Sequence, residues 1–341
     1  MGRRAGMQVL IIGSERIVSY KIGIEQPFRH LERQGVCNFK VLSDDDVSKG
    51  DLASADVILF FRTVQPAAYK LLELANGMGK KTVYVIDDHF MAMAPGSDMG
   101  RYYHEPARRD TYVKFLKHAA IVKVASDFFA RHLQTHFQPR HIVSFPGSVD
   151  FALLDSFDKS DKRDDRVFIG YEGGKKEAAF GPVIHALRGI ARKYGDGIKI
   201  EFFGYIPEGL EGLHQVTFAH HDGNYQNFLK RLYRSNWDIG LAPLEHTLLH
   251  DCKTNNKYRE YAACGIAGIY ADTPPYNNWI THKGNGMLAG SGRDDWYEAL
   301  CELIEQPQLR AEIREAALTQ ARERFSIDAC AESWRTLILE A

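Results

Sequence analysis

Short apolar runs alternate with longer amphipathic ones along almost the whole chain, and this alternation limits what it can fold into more than any other feature. Runs at 9–12, 39–42, 56–61, 82–86, 121–125 and 142–145 read as buried strands. Between them the spacing predicts helices at 27–33 closed by Gly35, at 66–76 closed by Gly77 and at 106–118, with Ser126 capping another. From 155 to 166 nearly every residue is charged, and only Phe157 is apolar, so nothing there can build a core. The alternation then restarts. Strands are expected at 167–170, 198–203, 216–218, 237–242 and 266–270, and a helix at 182–193 carries Val183, Ile184, Leu187 and Ile190 at helical spacing. Strand and helix in turn build a parallel sheet covered on both faces, so the chain reads as α/β, with two Rossmann-like halves joined by a charged linker.

Composition agrees with two full cores, at 341 residues, 45% apolar and 26% charged. A net charge of −1 argues against a nucleic-acid binder, whose footprint is a basic excess. Cys37, Cys252, Cys264, Cys301 and Cys330 are scattered without a Cys-x-x-Cys spacing, which points to a reducing, cytoplasmic setting and no structural zinc. No apolar run approaches the ~20 residues of a membrane span. Residues 1–6 have no apolar centre, so an upstream start or a cloning remnant before Met7 is expected rather than a signal peptide.

Gly and polar residues collect after the carboxyl ends of the strands: Gly13-Ser14, Arg62, Asp87-Asp88-His89, Gly147, Tyr171 to Lys176, Gly204, His220-His221 and Pro243 to Lys257. Open parallel sheets bind ligands at that edge. Two such halves face each other most simply across a cleft, with one substrate on each side.

The stretch 241–276 carries the sharpest chemistry. A strand stops at Pro243, a polar loop follows, and a helix is expected to start near Thr254, whose hydroxyl can cap its first turn. Lys257 and Glu260 share one face of that helix, and Gly265 ends it. A helix start beside a lysine suits a phosphate, and a carboxylate one turn further suits a vicinal diol. Phosphate plus ribose describes a nucleotide. A surface helix with an i,i+3 ion pair is the plain alternative.

These residues resemble the donor half of GT-B glycosyltransferases, in the branch grouped as families one and four, nearest to bacterial members of surface-polysaccharide gene clusters. The resembling segments are Ile-Gly-Tyr-Glu-Gly-Gly at 169–174, Trp-Asp-Ile-Gly-Leu-Ala-Pro-Leu at 237–244, Lys253-Thr254 with Lys257 and Glu260-Tyr261, then Gly265, Pro274-Pro275-Tyr276 and Gly284-Asn285-Gly286. Segments 55–62 and 85–88 resemble the acceptor half. The resemblance implies a GT-B pair of domains: an acceptor domain over 7–150, a linker over 151–166 and a donor domain over 167–324. The terminal helix 325–341, with Trp334, would pack back on the first. It further implies that Glu260 binds the ribose and that Gly173-Gly174-Lys175-Lys176, following Tyr171, lies against the donor diphosphate. Gly13-Ser14 would close over the donor from the other side, and Lys253 and Thr254 would join the donor contacts. The chain departs from the pattern in three places. Glu245 stands too far from Glu260 for the family's paired glutamates, only Lys175, Lys176 and Lys257 stand near the usual arginine and lysine, and Ala267 replaces a usual proline.

Transfer from a nucleoside-diphosphate sugar passes through an oxocarbenium-like state and leaves charge on the diphosphate. Lys257, Lys176 and the helix start near Thr254 offer stabilisation without a metal, so Lys257 is a catalytic candidate and no metal or other cofactor is expected. On the acceptor side, Asp88 or His89 could bind a hydroxyl or take its proton; alternatively Asp87 caps a turn and His89 packs structurally. The reading taken is a retaining transfer, which needs no strong enzymatic base, onto a glycan, a lipid-linked glycan or another bacterial metabolite. Arg108, Arg109, Lys114 and Lys117 make a basic helix face that suits either solvent or peripheral contact with the inner membrane surface. His246 and His250 lack a third ligand in sequence, and Asp44-Asp45-Asp46 reads as a solvated turn. Among rivals, a dehydrogenase would need Gly-x-Gly-x-x-Gly after the first strand, where the chain has Gly13-Ser-Glu-Arg-Ile-Val. A nucleotide-sugar epimerase of similar shape and a non-catalytic partner subunit stay open.

Overall fold

The computed structural model describes residues 6–13, 17–159, 164–220 and 222–341. Ser14, His221 and the 160–163 part of the linker lie outside the described residues. The chain forms two compact units: unit 1 comprises Met1–Ser148, Asp251–Thr254 and Phe325–Ala341, and unit 2 comprises Val149–His250 and Asn255–Arg324.

The sheet of unit 1 contains β1 (Met7–Ile12), β2 (Cys37–Leu42), β3 (Val57–Phe61), β4 (Lys81–Val85), β5 (Ile121–Val124) and β6 (Ile142–Ser144). All pairings are parallel, in the order β2-β1-β3-β4-β5-β6. Side chains alternate across it, as a strand requires. Val9, Ile11, Val57 and Leu59 enter one core layer with Phe28 and Trp334, while Leu10, Ile12, Ile58 and Phe60 enter the other with Phe115 and Phe129. Continuous apolar strands are the consequence of burying both faces. The chain's last helical segment completes one layer: Trp334 Nε1 donates to the Gly23 carbonyl at 2.8 Å, and its ring meets Phe28 and Phe145 edge-on. The short segment 251–254 serves the other. Cys252 is fully buried there, and Ser126 Oγ donates to its carbonyl at 2.9 Å.

Unit 2 repeats the plan with β7 (Val167–Glu172), β8 (Ile198–Phe203), β9 (Val216–Ala219), β10 (Ile239–Ala242), β11 (Ala267–Ala271) and β12 (Met287–Ala289), again all parallel. Their order is β9-β8-β7-β10-β11-β12. Close packing depends on absent side chains: a Cβ at Gly170 would sit 1.9 Å from the Trp237 indole.

Each sheet changes winding direction once, between β1 and β3 in unit 1 and between β7 and β10 in unit 2. Loops that leave the strand ends there run opposite ways and open a crevice. Among the described residues no helix is long and apolar enough to cross a membrane.

Three boundaries differ from the sequence expectation. Helix Pro66–Gly77 runs through Gly77, and Gly79 takes the left-handed turn at φ 70°. Helix Glu177–Tyr194 begins before Pro182 and carries it inside. Helix Asn256–Ala263 has Asn255 at its N-cap, without a side-chain capping bond, one residue beyond the expected cap at Thr254.

Candidate functional site

The carboxyl end of β7 is the centre of the unit 2 site. Its last residue, Glu172, is 5% exposed, an acidic group finishing an apolar strand. The chain then turns at Gly173 (φ 148°), where a Cβ would lie 2.7 Å from the Tyr171 hydroxyl. That hydroxyl donates to the Gly174 carbonyl at 3.0 Å, so Tyr171, itself buried, braces the turn. Lys175 is an exposed cation 3.7 Å from Glu177, and Lys176 stands at the N-cap of helix Glu177–Tyr194.

Helix Asn256–Ala263 meets this loop through charge. The Lys257 ammonium donates to Glu172 and, at 3.3 Å, to Glu260. Burial works against the ammonium, but the two carboxylates outweigh it and raise the Lys257 pKa well above its usual value. Burial raises the Glu260 pKa; Lys257 opposes the rise and the Glu172 charge adds to it. Arg259, 2% exposed and bonded to Asn256, lies near enough to favour the Glu260 carboxylate. Tyr261 fixes the helix to β10 by donating to the Leu241 carbonyl at 2.9 Å, in space left by Gly240. Asn285 Nδ2 braces the neighbouring turn against Tyr258, Gln320 and the Trp279 carbonyl.

The unit 1 site lies at the carboxyl ends of β1, β3 and β4. Gly13 follows β1, where a Cβ would sit 2.7 Å from the Phe61 carbonyl. Arg62 follows β3 with φ 56°, a conformation rare for a side-chain-bearing residue. Its guanidinium bonds Asp87 and, at 3.3 Å, Asp88, and lies 5.0 Å from the centre of the Phe90 ring. Lys253 donates to Asp88 at 3.2 Å. Burial pushes the Asp88 carboxyl up, but Lys253 and Arg62 outweigh it and hold the pKa below the usual range. His89 is 3% exposed, with Nε2 3.1 Å from His132 Nε2 and Tyr112 OH 3.5 Å from Nδ1. Burial first, then His132 and His136, lower its pKa to about 4, which leaves the ring neutral at pH 7.

Tyr171, Gly173, Gly174, Lys175, Lys176, Lys257 and Glu260 therefore all belong to unit 2, where Lys257 joins Glu260 to Glu172 beside the 173–176 loop, while Gly13, Asp88, His89, Lys253 and Thr254 belong to unit 1. Lys253 and Thr254, placed by sequence in the donor half, are thus grouped with the other unit. Sequence reasoning placed Arg62 and the stretch 171–176 at the ligand-binding edge, but it did not foresee the pairing of Glu172 with Lys257 or the bridge from Arg62 to Asp87 and Asp88, because both join residues far apart in the chain. His250 approaches Glu245 at 3.7 Å, and among the described residues no group of three or more His, Cys, Asp or Glu is arranged to hold a metal ion. On the basic helix face, Arg108 stacks over Tyr102 at 4.0 Å and Lys114 pairs with Asp110.

No protein-family profile matches the chain, and no curated protein matches it by sequence. Solved structures do match over its length. HepE from Anabaena, in complex with UDP and glucose, superposes with TM-score 0.69 at 13% identity, covering 98% of this chain and 100% of that one. A glycosyltransferase from Rickettsia africae gives TM-score 0.72 at 13% identity over 99% of each chain. The fold is GT-B. The GT-B arrangement of strands is also close to that of a putative UDP-N-acetylglucosamine 2-epimerase from Listeria monocytogenes, with TM-score 0.62 at 13% identity over 99% of this chain and 98% of that one.

Proposed function

We propose that the chain is a glycosyltransferase that moves a sugar from a nucleoside-diphosphate sugar to a hydroxyl acceptor. The observation that carries the reading is Glu260, a buried carboxylate set beside Lys257 and Glu172 at the winding switch between β7 and β10. A carboxylate there accepts hydrogen bonds from both hydroxyls of a ribose. Gly173 and Gly174 let the backbone approach a diphosphate, and Lys175, Lys176 and the start of helix Glu177–Tyr194 supply positive potential for the charge that develops as the sugar leaves. HepE, which shares this fold, is described in complex with UDP-glucose.

The acceptor hydroxyl approaches Asp88 and His89 in this reading. Two cations bind Asp88 and the His89 ring turns toward His132, so neither group is arranged as a strong base. That favours a retaining transfer, in which the departing phosphate takes the proton, and a reaction without a metal. Residual activity in excess chelator and a product of retained anomeric configuration by NMR are the expected results.

The deciding experiment is Glu260→Ala in a thermal-shift panel of nucleotides and nucleotide sugars. Loss of the charged hydrogen bonds, about 1.5–3 kcal/mol, weakens donor binding roughly ten- to a hundred-fold. Unchanged donor affinity refutes the assignment. The likeness to the Listeria protein keeps epimerisation as a second reading. Conversion of the donor sugar without any acceptor would favour it, and donor binding with neither reaction would point to a non-catalytic partner subunit.

A further inference from the structure

A cavity of about 750 Å³ opens within unit 1 at the β1–β3 switch, and Arg62 in its wall is bonded to Asp87 and Asp88. The wall combines two chemistries. Asp44, Thr63 and Gln65 offer carboxylate, hydroxyl and amide groups. Gln65 Nε2 donates to the Tyr102 oxygen at 2.8 Å, so that phenol keeps its own proton to donate. The apolar part of the wall is exposed: Ile17 is 38% and Met99 48% exposed, and Val18, next to Ile17 in the chain, is 42% exposed. Large apolar side chains gathered in the open at a cavity mouth mark a surface that a ligand covers.

Charge narrows the ligand further. Among the described lining residues Arg62 is the sole cation, and it is committed to two carboxylates, while Asp44 adds a third acidic group. A phosphate or carboxylate head would meet these acids without an uncommitted cation from the described residues of the wall. A neutral polyol would find donors and acceptors throughout.

We propose that this cavity takes the acceptor as an uncharged, hydroxyl-bearing glycoside whose apolar aglycone lies across Ile17 and Met99. The assignment to an acceptor rests on the transferase reading above. The polar wall fixes the sugar ring, the rim reads the aglycone, and Arg62 connects the ring's pocket to Asp88.

The test uses the full chain and calorimetry with hexyl glycosides of several common hexoses, below micelle-forming concentrations, against the parent sugars and their 1-phosphates. At least one hexyl glycoside should bind about tenfold or more tightly than its parent sugar, the gain expected from covering two or three methylenes. Ile17→Ser/Met99→Ser, two exposed changes, should abolish that gain and leave the nucleotide-sugar thermal shift intact. A 1-phosphate that binds better than the glycoside, a gain that survives the double variant, or nucleotide-sugar binding with no glycoside binding would each overturn the proposal. Glycoside binding without any nucleotide-sugar binding would instead overturn the transferase reading and leave the ligand class standing.

Discussion

Lys257→Met removes the ammonium that Glu172 and Glu260 share and keeps the side chain's length. The side chains involved are 14%, 6% and 10% exposed, so solvent does little to replace it. Removing one partner of a buried ion pair costs about 3–5 kcal/mol, because the remaining charge keeps its desolvation penalty and loses its attraction. Arg259 still favours the Glu260 carboxylate, which places the expected loss near the lower end, about 3 kcal/mol at pH 8. The loss depends on pH. Burial and the Glu172 charge then act on Glu260 with less opposition, and its pKa rises further above the unfolded value of ~4.3. A carboxyl raised in this way binds protons more strongly when folded, so its penalty is absent below the unfolded pKa and grows as pH rises through the folded one. The variant's deficit relative to the parent should therefore be largest at pH 8 and shrink toward acid.

Hydrogen exchange read by mass spectrometry on peptides from β7 and helix Asn256–Ala263 measures this directly. Peptides from unit 1 serve as an internal reference, since two compact units need not unfold together. Glu172→Gln added to Lys257→Met removes one stranded charge and should recover about 1 kcal/mol or more. A Lys257→Met chain within about 0.5 kcal/mol of the parent at pH 8, the range of ordinary surface changes, would refute the shared-charge argument.

His89 has a folded pKa lowered to about 4, so the unfolded chain takes up the proton first and stability falls as pH drops from ~6.5 toward that value. The loss amounts to up to about 3 kcal/mol, and His89→Gln should flatten this acid slope in urea unfolding; an unchanged slope would exclude the histidine as its source. Gly170→Ala drives a methyl into the Trp237 indole and should cost about 1–3 kcal/mol, with a fall in the thermal midpoint that a well-tolerated methyl would not produce. Trp334→Ala should cost about 3–5 kcal/mol; faster exchange in β1 and β3, with unit 2 peptides unchanged, distinguishes lost packing in unit 1 from a global effect.

The two sheets were legible in the sequence because their cause is local: a strand buried on both faces needs an unbroken apolar run, and a parallel neighbour needs a helix between. Strand ends are local too, which is why Gly13, Asp88 and Gly173 could be named as candidates before any geometry, and Glu260 could be named from its i,i+3 spacing to Lys257 on one helix and from the family resemblance. Pairing across distance was not legible. Lys257 meets Glu172 across 85 residues, and Lys253 meets Asp88 across 165. Nothing in the composition of 251–254 shows that Cys252 belongs to the core of unit 1. Strand order, which decides where each crevice opens, is likewise set by packing between segments far apart in the chain. The geometry also changes the choice between the two sequence readings of Lys257 and Glu260. An i,i+3 ion pair is indeed present, but it is buried rather than solvated, and it includes a second carboxylate. Burying three charges is a poor way to stabilise a fold, since apolar residues of similar volume commonly do as well or better. Their position at the switch between β7 and β10 fits the proposed donor site, in which a carboxylate is kept for a ligand's hydroxyls, and that proposal is what Glu260→Ala tests.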